Sequence, residues 1–165
     1  MRASREWTSI YFRNLIFGVE DGLVSTVGLL SGIAIADVPR ETIILTGIVL
    51  IFVEAISMAA GSFLSEASVE ELEVKKRTSA GESFKAGATM FASYFIAGLI
   101  PLAPYIYLAH DAFRFSIIAS LITLFLLGAW SGRLSRAGIL RSAIRMAVVG
   151  GLAVAVGAAA GFVLG

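Results

Sequence analysis

The sequence predicts an all-α integral membrane protein with five transmembrane helices. Of its 165 residues, 58% are hydrophobic, and the mean hydropathy is +0.88. The hydrocarbon core of a bilayer is about 30 Å thick, and about 20 apolar residues of helix cross it. Five apolar segments reach or approach this length: about 15–36, 42–64, 84–108, 112–130 and 144–164. They leave no room for a separate soluble domain, so residues 1–165 are predicted to form a single transmembrane domain.

The positively charged residues predict the orientation of these helices. Cytoplasmic loops of membrane proteins carry an excess of Lys and Arg. Eleven of the 13 Lys and Arg residues flank the segments on the side of the N-terminus: Arg2, Arg5, Arg13, Lys75, Lys76, Arg77, Lys85, Arg133, Arg136, Arg141 and Arg145. Only Arg40 and Arg114 lie on the other side. The N-terminus is therefore predicted to be cytoplasmic and the C-terminus to be outside.

The first segment carries a row of small residues at three- and four-residue spacing, which are Gly18, Gly22, Ser25, Gly28 and Gly32. Such residues let helices in a membrane approach each other closely. A short turn at 37–42 follows, and it predicts that the first two segments are antiparallel neighbours.

The second segment runs into a connection at 66–83 that is rich in Glu and Lys. Its acids Glu66, Glu70 and Glu73 lie three or four residues apart, so they share one face if the helix continues. This face is interpreted either as a solvated helix end or as a surface that collects cations at the mouth of an ion path. The residues alone leave both interpretations open.

The last three segments contain fewer residues that could bind an ion. Pro101 and Pro104 predict a bend in the third segment, because proline lacks a backbone hydrogen-bond donor. The fourth has no ionisable residue between Arg114 and Arg133, so it is predicted to be scaffold. The small residues of the fifth predict a packing helix.

Three carboxylates are predicted at membrane depth, those of Glu20, Asp21 and Glu54. A charge near the bilayer centre costs about 2.5–3.5 kcal/mol on insertion scales, and such residues usually mark a path for ions or protons. No Lys or Arg is expected at that depth to pair with them. The acids therefore predict an ion-binding site within the membrane.

Met58 lies one helical turn after Glu54 and faces the same way. A methionine at an apolar position is more often a packing residue than a ligand. A thioether favours softer metals than Mg²⁺ or Ca²⁺, so a site that combined it with carboxylates would favour Fe²⁺, Mn²⁺, Co²⁺ or Zn²⁺. Antiparallel packing predicts that Asp21 and Met58 lie at a similar depth and Glu54 nearer the middle. Glu20 lies about 100° round the helix from Asp21.

Three motifs resemble those of the vacuolar iron transporter family. The run NLIFGVEDGLVST at 14–26 resembles the family's first helix, SMAAGSFLS at 57–65 its second-helix motif, and IPLAPY at 100–105 part of its third helix. The resemblance spans essentially the whole chain. It implies a homodimer whose ion path runs between the subunits, lined by the first two helices of each. It also implies that Asp21 and Met58 form the transport site, and that divalent metal leaves the cytosol in exchange for protons.

The chain departs from the family's pattern in two places. Ser62 stands where the family usually has the glutamate of Gly-Glu-Tyr, and Glu54 is interpreted as compensating for it. The connection at 66–83 is shorter than the family's cytoplasmic metal-binding domain, and it leaves Glu66, Glu70, Glu71 and Glu73 as remnants.

The sequence therefore predicts a homodimeric transporter of the cytoplasmic membrane that exports Fe²⁺ or Mn²⁺ against protons. Dimerisation is predicted through the small-residue row of the first segment. No resident cofactor and no nucleic-acid partner are expected. The alternative is a membrane scaffold protein whose acids pair with hydroxyl groups between helices. An enzyme is not expected, because the chain has neither an HExxH nor a Gly-x-Ser-x-Gly motif.

Overall fold

The computed structural model describes the backbone of residues 2–72, 80–135 and 138–165, and the side chains of 9–69, 81–135 and 138–165. Five helices make up the fold: α1 Arg2–Ile35, α2 Arg40–Leu72, α3 Ala80–Tyr107, α4 Ala112–Ser135 and α5 Ile139–Leu164. Each is long and apolar enough to cross a membrane. The described residues contain no β-strand. The predicted fold class, an all-α membrane protein with five spanning helices, is confirmed.

The helices are longer than the predicted apolar segments, mostly at the end of the bundle where α1 begins, which we call the N-terminal end. There α1 begins at Arg2, α2 continues to Leu72, and α3 begins at Ala80. The predicted connection at 66–83 is thus helical on both sides of residues 73–79, which lie outside the described residues. Lys, Glu and Arg are good helix formers, so a helix continues past the apolar residues that mark the membrane.

Helices α1 and α3 form the centre of the bundle and are its most buried helices. Helix α2 packs mainly on α3 and more lightly on α1, while α4 and α5 pair with each other on the other side. Among the described residues, α2 contacts neither α4 nor α5. A large apolar face of α2 therefore points away from the protomer, including Leu45, Val53 and Ile56, each about 60% exposed.

The small-residue row of α1 packs within the protomer. A Cβ atom added to Gly22 would lie 2.6 Å from the carbonyl oxygen of Tyr94 in α3, and one on Gly32 would lie 2.7 Å from that of Gly157 in α5. Gly18 likewise faces Ser93, and Gly28 faces Ala153. Two neighbouring helices thus occupy this row. The prediction that it forms the dimer contact is wrong.

The opposite end of the bundle is joined by hydrogen bonds to helix α3. Pro101 and Pro104 lie inside α3, which continues to Tyr107. Ser116 of α4 donates a 2.7 Å hydrogen bond to the Pro101 carbonyl oxygen. Arg40, the first residue of α2, donates to the last carbonyls of α3, with 2.6 Å to Tyr105 and 2.8 Å to Ile106. These carbonyls lack partners within the helix, so Arg40 caps α3 and fixes the start of α2 on it.

Candidate ion site between helices α1, α2 and α3

One hydrogen bond sets the register of the antiparallel pair α1 and α2. Asn14 Nδ2 donates to Ser62 Oγ at 2.8 Å. Asp21 lies seven residues beyond Asn14, and Glu54 lies eight residues before Ser62, so both are about 10–12 Å deeper than this hydrogen bond. The charge of Glu54 acts on Asp21. Met58 lies one turn nearer the N-terminal end. The sequence predicted that Met58 would lie at the depth of Asp21 and Glu54 nearer the middle of the membrane. The structure instead places Glu54 at the depth of Asp21, so this prediction is wrong.

The site is partly open at the surface of the protomer. Asp21, Glu54 and Met58 are each partly buried, and Phe17, one turn before Asp21, is 48% exposed. Neither carboxylate forms an ion pair with a described Lys or Arg. Neither accepts a hydrogen bond from a described side chain. The two acids therefore lie at a similar depth without a described partner that would neutralise them.

Tyr94 of α3 forms a third side of the site and was not predicted from the sequence. Its side chain is fully buried, and its hydroxyl lies 2.6 Å from Ser25 Oγ. Ser25 Oγ donates its single hydrogen to the Asp21 carbonyl oxygen at 2.7 Å, so Tyr94 is the donor to Ser25. The Tyr94 oxygen keeps its lone pairs, and the charges of Asp21 and Glu54 act on it. The available signal was a tyrosine inside an apolar span, because a buried hydroxyl needs a polar partner.

Glu20 lies on a different side of α1 from this site. The charge of Arg145 of α5 acts on it, but Glu20 forms no ion pair with a described Lys or Arg. Its role as a metal ligand remains a prediction, and helix geometry points its side chain about 100° away from that of Asp21.

Glu66, Glu70 and Glu73, the acids predicted to collect cations at the mouth of the ion path, lie in different positions. Glu66 is buried, at 8% exposure, and its Oε1 accepts a 2.6 Å hydrogen bond from Arg13 of α1. Glu70 belongs to α2, but its side chain lies outside the described residues, and Glu73 lies outside them entirely. Glu66 therefore joins α1 to α2 through its pairing with Arg13.

A single protomer supplies an incomplete set of metal ligands. Among the described side chains, no three of His, Cys, Asp or Glu are grouped so that they could hold a metal ion. The site offers two carboxylates and the Tyr94 oxygen, with the Met58 sulfur one turn away. Carboxylates can bind a divalent cation or protons, so the arrangement suits ions that are exchanged and not held permanently.

Five helices that are long and apolar enough to cross a membrane, with two acids in them that form no ion pair with a described residue, define a small multi-pass membrane protein with an acidic cleft. The model of the VIT family matches residues 12–82 and 67–162 of this chain. These two matches overlap at the connection between α2 and α3, and the first contains Asp21, Glu54 and Met58. The chain belongs to the VIT family.

Relatives in plants agree with this membership. Vacuolar iron transporter homologs 4 and 3 of Arabidopsis thaliana are 30% and 31% identical over 158 residues, covering 88% of this chain and 80% and 79% of those proteins. Vacuolar iron transporter 1 of Tulipa gesneriana is 25% identical, covering 86% of this chain and 82% of that protein. The resemblance seen in the motifs is confirmed.

Proposed function

We propose that this protein transports a divalent transition metal, Fe²⁺ or Mn²⁺, out of the cytosol in exchange for protons. The observation that carries this proposal is that Asp21 and Glu54 lie at a similar depth in the spanning part of the bundle, and neither forms an ion pair with a described residue. Membership of the VIT family and the plant relatives named as iron transporters support iron as a substrate. The scaffold alternative requires hydroxyl partners for the acids, and neither carboxylate has one among the described side chains.

The two carboxylates provide a physical basis for exchange with protons. Two ionised acids close together repel each other, and the low-dielectric membrane strengthens this repulsion. A divalent cation relieves this repulsion by neutralising both charges, and bound protons relieve it by removing them. The site therefore alternates between a metal-bound state and a protonated state, and each turnover moves metal one way and protons the other.

The working unit of the proposal is a homodimer with the ion path between the subunits. The cleft is partly open at the protomer surface, and α2 beside it presents an exposed apolar face. A two-fold axis beside α1 and α2 would bring two copies of Asp21, Glu54 and Met58 together. Four carboxylates and two thioethers would complete the ligand set that one protomer lacks.

The proposed location is the cytoplasmic membrane, with the N-terminus inside. Eleven of 13 Lys and Arg residues belong to the N-terminal side, which the positive-inside rule assigns to the cytoplasm. Metal would enter from this end of the bundle, where the hydrogen-bonded Asn14 and Ser62 lie between the cytoplasm and the two acids.

Metal flux into proteoliposomes tests the proposed function directly. Purified protein is reconstituted, and uptake of Fe²⁺, Mn²⁺, Zn²⁺ and Mg²⁺ is measured with and without a pH gradient. We expect uptake of Fe²⁺ or Mn²⁺ that is faster when the vesicle interior is more acidic than the outside, because protons then leave as metal enters. We expect little uptake of Mg²⁺. Flux equal to that of empty vesicles for every ion would contradict transport. Flux that ignores the pH gradient would contradict proton exchange alone.

Met58→Leu is expected to change metal preference with little effect on stability. Leucine keeps the apolar volume and removes the sulfur, so the variant should lose preference for Fe²⁺ over Mg²⁺ by about three- to tenfold. Competition between the two ions in the flux assay measures this ratio. Met146→Leu is the matched control, because Met146 is a buried core methionine packed away from the site. An unchanged ratio in Met58→Leu would exclude the thioether from the site.

A further inference from the structure

Two grooves of similar size run along helix α3, one against α1 and one against α2, and they differ in charge. The α1–α3 groove has a volume of about 570 Å³. The residues that define it are Tyr11 of α1 and Lys85, Ala88, Ala92 and Ile96 of α3. The α2–α3 groove has a volume of about 520 Å³ and is lined only by Phe, Ile, Ala and Gly residues. Of these two grooves, the α1–α3 groove alone contains a cationic side chain.

The α1–α3 groove has the length of one membrane leaflet. Lys85 and Ile96 mark its two ends on α3, which are about 16 Å apart along the helix axis. The hydrocarbon core of a bilayer is about 30 Å thick, so one leaflet contributes about half of that length. Between the ends, Ala88 and Ala92 are exposed and small, so they leave a furrow in which an acyl chain can lie. The dimensions therefore match a single phospholipid.

The polar end of the α1–α3 groove carries an exposed ammonium group. Lys85 Nζ donates a 2.9 Å hydrogen bond to Glu82 Oε1, and the Tyr11 hydroxyl also donates to the Glu82 carboxylate. An ammonium group has three hydrogens, and the Lys85 side chain is 64% exposed, so it can donate to a further acceptor from outside the protein. An anionic phosphate oxygen is a strong acceptor for such a donor.

We propose that the α1–α3 groove binds one anionic phospholipid, with its phosphate on Lys85 and an acyl chain along Ala88, Ala92 and Ile96. A zwitterionic headgroup also has a phosphate, but its own ammonium group repels that of Lys85. Under the proposed orientation, the lipid belongs to the cytoplasmic leaflet, which carries the anionic lipids. The binding does not depend on metal transport.

Native mass spectrometry of the intact purified protein with added lipid tests this site. Phosphatidylglycerol and phosphatidylcholine with identical acyl chains are titrated separately, and the Kd of the first bound lipid is measured. We expect phosphatidylglycerol to bind about fivefold more tightly, because one basic residue near a membrane surface contributes an attraction of that size. Lys85→Gln should remove this preference, and Lys85→Arg, which keeps the charge, should retain it.

Glu82→Gln separates lipid recognition from a structural role of the Lys85–Glu82 pair. The amide can still accept a hydrogen bond from Tyr11, but it no longer offsets the charge of Lys85. The preference for phosphatidylglycerol should therefore rise above that of the wild type. If the pair only maintained the shape of the groove, Glu82→Gln and Lys85→Gln would both weaken the preference, and the proposal would fail.

Arg141→Gln is the control for charge. Arg141 is an exposed arginine near the start of α5, a helix that does not contact α3 among the described residues. The variant loses one positive charge at the same end of the bundle as Lys85→Gln, and its preference for phosphatidylglycerol should be unchanged. An equal loss in both variants would show that net charge, and not the groove, selects the lipid.

Ala92→Phe tests the apolar part of the α1–α3 groove, because the ring fills the furrow and leaves Lys85 intact. The preference for phosphatidylglycerol should disappear. Ala60→Phe, at an exposed alanine of the α2–α3 groove, is the matched control and should keep it. If Lys85→Gln fails to fold, Ala92→Phe and Glu82→Gln decide the question.

Three outcomes would overturn the proposal. The first is equal binding of the two lipids by the wild type. The second is a preference that persists in Lys85→Gln or in Ala92→Phe. The third is a reduced dimer fraction in Ala92→Phe with unchanged lipid binding, which would show that a second copy of the chain occupies the groove.

Discussion

Asp21→Asn is expected to abolish proton-coupled metal transport, lowering the initial rate of metal uptake by about a hundredfold or more. The amide keeps the size and shape of the carboxylate but binds a divalent cation weakly and cannot exchange a proton. Loss of groups that merely support a metal ligand costs about 10–100-fold, so loss of a ligand should cost at least that. The fold should survive, because the Asp21 carboxylate forms no hydrogen bond or ion pair with a described side chain. Metal uptake into proteoliposomes, together with the oligomer profile of the purified variant, measures both effects.

Asp37→Asn is the matched control for this variant. Asp37 lies in the exposed turn between α1 and α2 with φ of 55°, a left-handed conformation that asparagine also tolerates. The same substitution there should leave uptake and folding unchanged. Undiminished transport by Asp21→Asn would rule out the proposed site. Loss of folding in that variant alone would favour the scaffold alternative.

The number and order of the helices could be predicted because the membrane imposes a length on every apolar segment. The helix ends could not, since the apolar length marks the hydrocarbon boundary and not the end of the hydrogen-bonded helix. Helix α1 starts at Arg2, 13 residues before the predicted start at 15. Backbone hydrogen bonding continues through polar residues there, and no change of composition marks where it begins.

Of the residues in the site, the sequence singled out mainly those that are costly to bury in a membrane. Asp21 and Glu54 stood out because carboxylates are rare at membrane depth. The neighbours of these acids depend on how separate helices pack, which a single sequence does not encode locally. Tyr94 was therefore not predicted, and the depth of Glu54 relative to Asp21 needed the Asn14–Ser62 hydrogen bond.

The small residues of α1 also show that a local sequence pattern predicts a contact but does not identify the helix that makes it. Their spacing predicted a close helix contact, and close contacts exist. The spacing carried no information about whether the approaching helix belongs to the same chain or to a second copy. In the structure, α3 and α5 occupy this row, so a partner would have to contact other faces, such as the cleft and the apolar side of α2.

Gly157→Ala is expected to destabilise the protomer by about 3 kcal/mol, at the upper end of the cost of overpacking. A methyl group on Gly157 would overlap the carbonyl oxygen of Gly28, and backbone atoms cannot move aside as a flexible side chain can. Helices α1 and α5 would have to separate along the row that keeps them in register. Unfolding of the purified protein in detergent, followed by circular dichroism, measures the change in the free energy of unfolding.

Gly151→Ala provides the matched control on the same helix. Nothing lies within 4 Å of a Cβ atom added there, so the alanine should be neutral or should stabilise α5 by up to about 1 kcal/mol through its higher helix propensity. The sign of the effect should therefore differ between two glycines only six residues apart. If Gly157→Ala instead lowered the dimer fraction and left the unfolding of the protomer unchanged, the glycine row would belong to the contact between subunits, and the packing of α1 on α5 described above would be wrong.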